Sequence, residues 1–176
     1  MSTPNLLIRD EAVSDYDTIS KVTEEAFRTL EVSGHTEEYV VLALRKAGAL
    51  SISLVAELAG MVVGHIAFSP VSLSDGTPGW YGLGPVSVLP ELQKLGIGKA
   101  LIREGLARLK ALGARGCVLV GHPGYYTKFG FHNTPTLSLE GVPPEVFFAL
   151  SFDGHIPQGT VTFHPAFGAD EHGNGQ

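Results

Sequence analysis

The stretch from Val86 to Ala100 restricts the fold more than any other part of this chain. Val86, Ser87 and Val88 alternate as a strand does, and Pro90 then removes a backbone donor and ends the ladder. Gly96 and Gly98, one residue apart, let the backbone turn and bring its N–H groups close to a ligand. The helix that starts there leaves its first N–H groups without internal partners. Lys94 and Lys99 add charge to the positive end of the helix dipole, so phosphate oxygens are the natural occupant. After the helix, the apolar run from Arg115 to Gly121 is expected to be a strand buried on both faces. The helical connection makes it parallel to the strand ending at Leu89.

Two other phosphate loops fail on spacing. A P-loop needs a glycine where Gln93 stands and a hydroxyl where Ala100 stands. A dinucleotide fingerprint needs a third glycine where Leu101 sits. What remains, Gln93-x-x-Gly96-x-Gly98 after a strand ending Val-x-Val, resembles the acyl-CoA signature of the GNAT superfamily of N-acetyltransferases. In that family the loop holds the CoA pyrophosphate. The plainer alternative is a glycine-softened connection with no ligand.

With 176 residues, 44% of them hydrophobic and 17% charged, the chain is long enough to close one core and reads as a single domain. We expect that domain over 1–168, with 169–176 a mobile tail. A formal net charge of −6 and the lack of a basic run argue against a nucleic-acid partner. The first residues lack the basic and apolar segments of a signal peptide. The apolar run Leu58 to Phe68 is too short to span a bilayer, so no membrane partner and a cytoplasmic location are expected. Cys117 sits in an apolar run and reads as a small buried residue. No His/Cys/Asp/Glu grouping has metal-ligand spacing, and no nucleophile elbow occurs.

In chain order, Leu6 to Arg9 reads as a strand. A first helix starts near Ser14 with Ile19, Val22, Ala26 and Phe27 on one face, and a second starts near Thr36 and ends before Gly48. Ser51–Glu57 and Met61–Leu73 read as an antiparallel hairpin, and 72–79 as a turn before the strand Tyr81–Leu89. A long helix covers about Gly96–Leu112. His122 to Phe131 reads as a short helix started by Pro123 and stopped by Gly130, with Phe131 opening the next strand. Val142–Phe152 and Thr160–Phe163 read as strands at the far edge of the sheet. An apolar edge invites pairing, so a homodimer is a candidate assembly.

A second motif agrees with the first. Tyr126-Thr127-Lys128-Phe129-Gly130-Phe131 resembles the Tyr-x-x-x-Gly-Phe element of GNAT enzymes and follows the glycine loop by about thirty residues. Tyr125-Tyr126 and Leu83-Gly84-Pro85-Val86 look most like the YhbS-type bacterial members. One departure is Gly121-His122-Pro123, where many members carry an asparagine that contacts the pantetheine arm. The resemblance implies an α/β fold with a mixed, mostly antiparallel sheet of about six or seven strands flanked by helices. Two parallel central strands, at Val86 and Val118, would start together and splay towards the phosphate end in a V. It implies acetyl-CoA as cosubstrate and no metal, with Val86, Ser87, Val88, Gln93, Lys94, Leu95, Gly96, Ile97, Gly98 and Lys99 at the cofactor. A backbone N–H near Val88 would polarise the thioester carbonyl. Tyr126 would protonate the leaving thiolate, since a phenol with a pKa near 10 stays protonated at neutral pH. The alternative for Tyr126 is an aromatic packed on the core.

The implied reaction is direct attack by a primary amine of a small molecule or peptide, in a ternary complex. No general base stands in the strand before the loop, and His65, Glu25 and His122 are the candidates elsewhere. Two rival readings are a CoA-binding regulatory domain without turnover, and acyl transfer to a hydroxyl or from a longer acyl-CoA.

Overall fold

The computed structural model describes residues 5–28, 30 and 33–172. Strand β1 (Leu6–Asp10) is followed by helices α1 (Tyr16–Phe27) and α2 (Glu37–Lys46), then by β2 (Ile52–Leu58) and β3 (Met61–Pro70). Ala59 and Gly60 both take positive φ, 51° and 82°, the twist that a two-residue hairpin needs to join β2 to β3. Next come β4 (Ser72–Leu73), β5 (Trp80–Val88), α3 (Ile97–Ala111) and β6 (Gly116–Val120), and finally β7 (Leu137–Ser138), β8 (Phe147–Ser151) and β9 (Gly159–Thr162).

The main sheet has six strands in the order β1-β2-β3-β5-β6-β8, and its one parallel pair is β5 with β6. That ladder covers only Trp80–Gly82 against Gly116–Val118. The strands therefore pair ahead of Val86 and have already parted there, rather than starting together at Val86 and Val118. Opposite Ala67 the ladder between β3 and β5 is irregular: Ile66 faces Val86 while Phe68 faces Leu83, which puts one extra residue into β5 around Gly84-Pro85. Such a bulge bends its strand and increases the local twist, which turns β5 away from β6.

Helix α3 covers one face of the sheet with Leu101, Ile102 and Leu109 against Leu54, Ile66 and Phe68. Full burial of each such leucine is worth about 2 to 3 kcal/mol in transfer free energy. The opposite face takes α1 and α2 through Ile19, Val41 and Val55. It also carries a second, three-stranded sheet, order β4-β9-β7, whose Leu73, Val161 and Leu137 pack on Trp80, Val118 and Phe147.

Several local expectations are corrected. Ser72-Leu73 is strand β4 and not part of a turn, because it pairs with Thr162 and Val161. Strand β9 lies in the second sheet and not at the far edge of the first. Only Phe147–Ser151 of the expected Val142–Phe152 is strand, since Pro143 and Pro144 cannot donate to a ladder and a 3₁₀ turn forms over Pro144–Val146. The short helix is a single 3₁₀ turn, Tyr126–Phe129, that begins three residues beyond Pro123 and does end at Gly130. Phe131 is buried core, and His132 makes an isolated bridge to Ala149. That bridge, with Asn133 Nδ2 donating to the Phe147 carbonyl at 2.9 Å, covers part of the β8 edge on which the homodimer expectation rested. The expected tail, 169–176, extends past the described residues from 173 onward. No described helix is long and apolar enough to cross a membrane.

Candidate active site

Where β5 and β6 part, two clefts open on either side of the end of β5. The first, about 470 Å³, is lined by Val86 and Val88 of β5, by Gln93, Lys94, Gly96, Gly98 and Lys99 of the loop and first turn of α3, and by Tyr125, Tyr126 and Lys128. Gly96 adopts φ 88°, a left-handed conformation that strains any side chain, and this sets the direction of α3. No side chain caps the α3 N-terminus. The first backbone bond of the helix is Ala100 N–H to the Gly96 carbonyl, so the N–H groups of Ile97, Gly98 and Lys99 are left for a ligand. Gln93 Nε2 donates to the Val88 carbonyl at 3.0 Å and ties the loop back to the strand. The Leu89 N–H donates to the Val63 carbonyl of β3, so by strand alternation the backbone groups of Val88 and Val86 face the gap left by β6. Unpaired strand groups, free helix N–H groups and two lysines form a donor set suited to a diphosphate with an amide-bearing arm.

Of the residues expected at the cofactor, Val86, Val88, Gln93, Lys94, Gly96, Gly98 and Lys99 line this groove. Three do not bring a side chain to it. Ser87 is 1% exposed on the opposite face and donates to Thr23 Oγ1, Ile97 is buried in the core, and Leu95 points to solvent. Leu92, Ile102, Tyr125 and Lys128 also line the groove and were not among the residues expected there. Ile102 lies one helical turn beyond Gly98, a spacing that could have indicated it, and Leu92 ends the 3₁₀ turn ahead of the loop.

The second cleft, about 540 Å³, lies between β5, α1, α2 and the C-terminal segment. Val86 and Tyr126 line both clefts, so these residues form a wall common to the two spaces. Tyr126 is held by packing: its ring lies on Gly121, where an added methyl would overlap it, and meets Phe131 and Phe148 at centroid distances of 6.2 and 6.4 Å. Gly121, part of the departure from the family pattern, is thus the seat of the phenol. The hydroxyl makes no hydrogen bond among the described residues. Burial pushes its pKa up to about 12, with a smaller contribution from Tyr125.

The three proposed bases stand away from both clefts. Glu25 is exposed beside Arg28, and the exposed His122 has its Nδ1 2.6 Å from the Pro123 carbonyl. His65 is wholly buried in β3 beneath α1. Ser53 gives its one proton to Glu11 Oε1 at 2.7 Å, so at 2.8 Å it accepts from His65 Nε2–H, and Glu11 is in turn held by Arg45. Burial lowers the His65 pKa from 6.5 to about 4. An unfolded chain therefore binds this proton first, so stability is full above the ordinary histidine pKa and falls as pH drops through the window from about 6.5 to about 4. We expect about 2 kcal/mol of stability to be lost between pH 7 and pH 5 through this residue alone. Denaturant melts of the wild type and His65→Gln at both pH values check this, and an equal loss in the variant would rule it out. The carboxylates that do line the second cleft are Glu37 and Glu140. Neither was singled out from the sequence. Among the described residues no group of three or more His, Cys, Asp or Glu side chains could hold a metal ion.

Residues 49–133 match the family model of an acetyltransferase (GNAT) domain. The uncharacterized N-acetyltransferase YhbS of Escherichia coli K12 is 33% identical over 127 residues, 72% of this chain and 73% of that protein. Among solved structures, a GNAT family acetyltransferase from Brucella melitensis in complex with acetyl-CoA is 51% identical with a TM-score of 0.83, covering 93% of this chain and 98% of that one. YhbS from Escherichia coli in complex with CoA superposes with a TM-score of 0.84 at 29% identity, covering 95% of this chain and 94% of that one. Every residue lining the first cleft falls inside 49–133, whereas the second cleft draws Phe27, Glu37 and Val40 from before that span and Leu139, Glu140 and Phe163 from after it. With the opened β5–β6 pair, the uncapped glycine turn and a YhbS relative matched over most of its length, the chain belongs to the GNAT superfamily of N-acetyltransferases.

Proposed function

We propose that this acetyltransferase takes an acetyl group from acetyl-CoA and passes it to a primary amine by direct attack in a ternary complex. The observation that carries the reading is that two neighbouring clefts share Val86 and Tyr126 as a common wall. The first cleft would take the cosubstrate, with the N–H groups at the start of α3, Lys94 and Lys99 on its diphosphate. The exposed backbone of Val86 and Val88 would bind the pantetheine amides as a neighbouring strand would. An N–H of this strand end would polarise the thioester carbonyl. The amine nitrogen attacks the carbonyl carbon, the C–S bond breaks with its electron pair on sulfur, and the amine gives up a proton, leaving the N-acetyl product and CoA thiolate, which takes up a proton from solvent to become the thiol. Tyr126, on the wall common to both clefts, would donate to the departing sulfur. Glu37 or Glu140, directly or through water, would receive the proton from the amine.

Incubation with acetyl-CoA and a panel of amines, read by free thiol release, tests the proposal. Steady release with at least one amine is expected. Acetyl-CoA binding without thiol release from any amine or alcohol would replace it with the regulatory CoA-binding reading.

A further inference from the structure

We propose that the acceptor is a primary amine on an apolar, aromatic-sized body without a carboxylate, the class of an arylalkylamine. This deepens the acetyl-transfer reading above and rests on it. The wall of the acceptor cleft is built from Phe27, Val40, Leu83, Val120, Phe163 and Phe167. Val120 is 49% exposed and Phe163 and Phe167 stack edge to face with centroids 5.1 Å apart, so apolar surface stands open to an incoming group. A cleft of about 540 Å³ lies in the size range that encloses a small organic molecule.

The polar side chains in this wall are few. Glu37 and Glu140 supply two carboxylates, and no lysine, arginine or histidine lines the cleft among the described residues. Glu37 accepts from Ser33 Oγ at 2.8 and 2.7 Å, and neither carboxylate has a cationic partner among the described residues. Beyond Glu37 a smaller cavity of about 240 Å³ carries Glu24 and Glu38, with Arg28 and His35 as its positive or titratable neighbours. Arg28 is itself drawn to Glu24 and Glu25 at 3.6 and 3.9 Å. The field at the cleft therefore attracts an ammonium group. An acceptor carboxylate would meet two like charges and no partner, which selects against amino acids as such. The apolar wall would gain nothing from a polar amine of similar charge.

Phenethylamine, phenylalanine and ethanolamine separate these features, because the second adds a carboxylate and the third lacks the ring. Thiol release from acetyl-CoA should show a kcat/KM for phenethylamine at least about tenfold above either of the others. Glu37→Gln and Glu140→Gln should each raise its KM by about three- to tenfold, with acetyl-CoA affinity unchanged. Phenylalanine or ethanolamine performing as well as phenethylamine would overturn the inference, as would unchanged KM in both variants. Calorimetric titration of phenethylamine into the CoA-saturated protein keeps the two readings apart. Binding weakened by the glutamine substitutions, without thiol release, would uphold the acceptor class and refute acetyl transfer. No binding would overturn the acceptor class itself.

Discussion

Tyr126→Phe is expected to lower kcat by about 10² to 10³-fold while leaving the fold and acetyl-CoA affinity nearly unchanged. The ring contacts with Gly121, Phe131 and Phe148 survive the substitution, and the hydroxyl has no protein hydrogen bond to lose among the described residues. The raised pKa refines what the phenol does. At about 12 it lies well above an ordinary thiol near 8.5, so full proton transfer to a thiolate is uphill. The O–H is better matched to a hydrogen bond that strengthens as charge develops on sulfur. The shift also moves the alkaline limb: a phenol of ordinary pKa would lose activity near pH 10, whereas this one keeps its proton there. Wild type and Tyr126→Phe should accordingly show parallel profiles up to pH 10, separated by a constant factor. Full turnover in the variant would make Tyr126 a packing residue, and a wild-type limb near pH 10 that vanishes in the variant would restore the proton-donor role.

Gly98→Val is expected to abolish the thermal stabilisation by acetyl-CoA. At a concentration of one hundred times the dissociation constant, binding to the folded state alone adds about 2.7 kcal/mol, or roughly 5 to 10 °C for a domain of this size. A Cβ at this position meets only Val88 Cγ2 at 3.8 Å and the Tyr125 hydroxyl at 3.9 Å, which are ordinary contacts, so the unliganded fold tolerates it. The valine methyls, however, would stand in the groove in front of the first N–H groups of α3, where a diphosphate must approach the backbone. Helix propensity hardly changes, since valine in a helix is no worse than glycine. Thermal melts with and without acetyl-CoA decide the matter: an unchanged shift in the valine variant would remove the loop from the cofactor site.

What the sequence made legible was local. The run from Val86 to Lys99 carries strand, stop, turn and helix start within a few residues, each with its own steric or hydrogen-bonding cause, and seven of its ten expected cofactor residues line the groove. Ser87 escaped because strand alternation turns its side chain to the other face, towards Thr23. The second sheet was illegible for a different reason. Ser72-Leu73, Leu137-Ser138 and Gly159–Thr162 are short segments brought together across long stretches of chain, and nothing in any one of them names its partners. The second cleft shares this character, since Glu37 of α2 and Glu140, more than one hundred residues apart in the chain, come to line one space only in the folded protein. The base candidates were chosen by residue type and expected position, and burial put one of them, His65, into a hydrogen-bonded chain with Ser53 and Glu11.

On the proposed assignment, a cofactor groove drawn wholly from 49–133 and an acceptor cleft drawn largely from the flanking segments have an evolutionary consequence. Substitutions at Phe27, Glu37, Glu140 or Phe163 would then alter what is acylated while the glycine turn and the opened strands pass unchanged to the descendants. Effects at well-separated positions are close to additive, so a gene copy can explore new acceptors without first losing its acyl donor. A lineage built this way diversifies at its chain ends and is constrained in its middle. Relatives of this chain should accordingly diverge fastest in the two segments that enclose the acceptor.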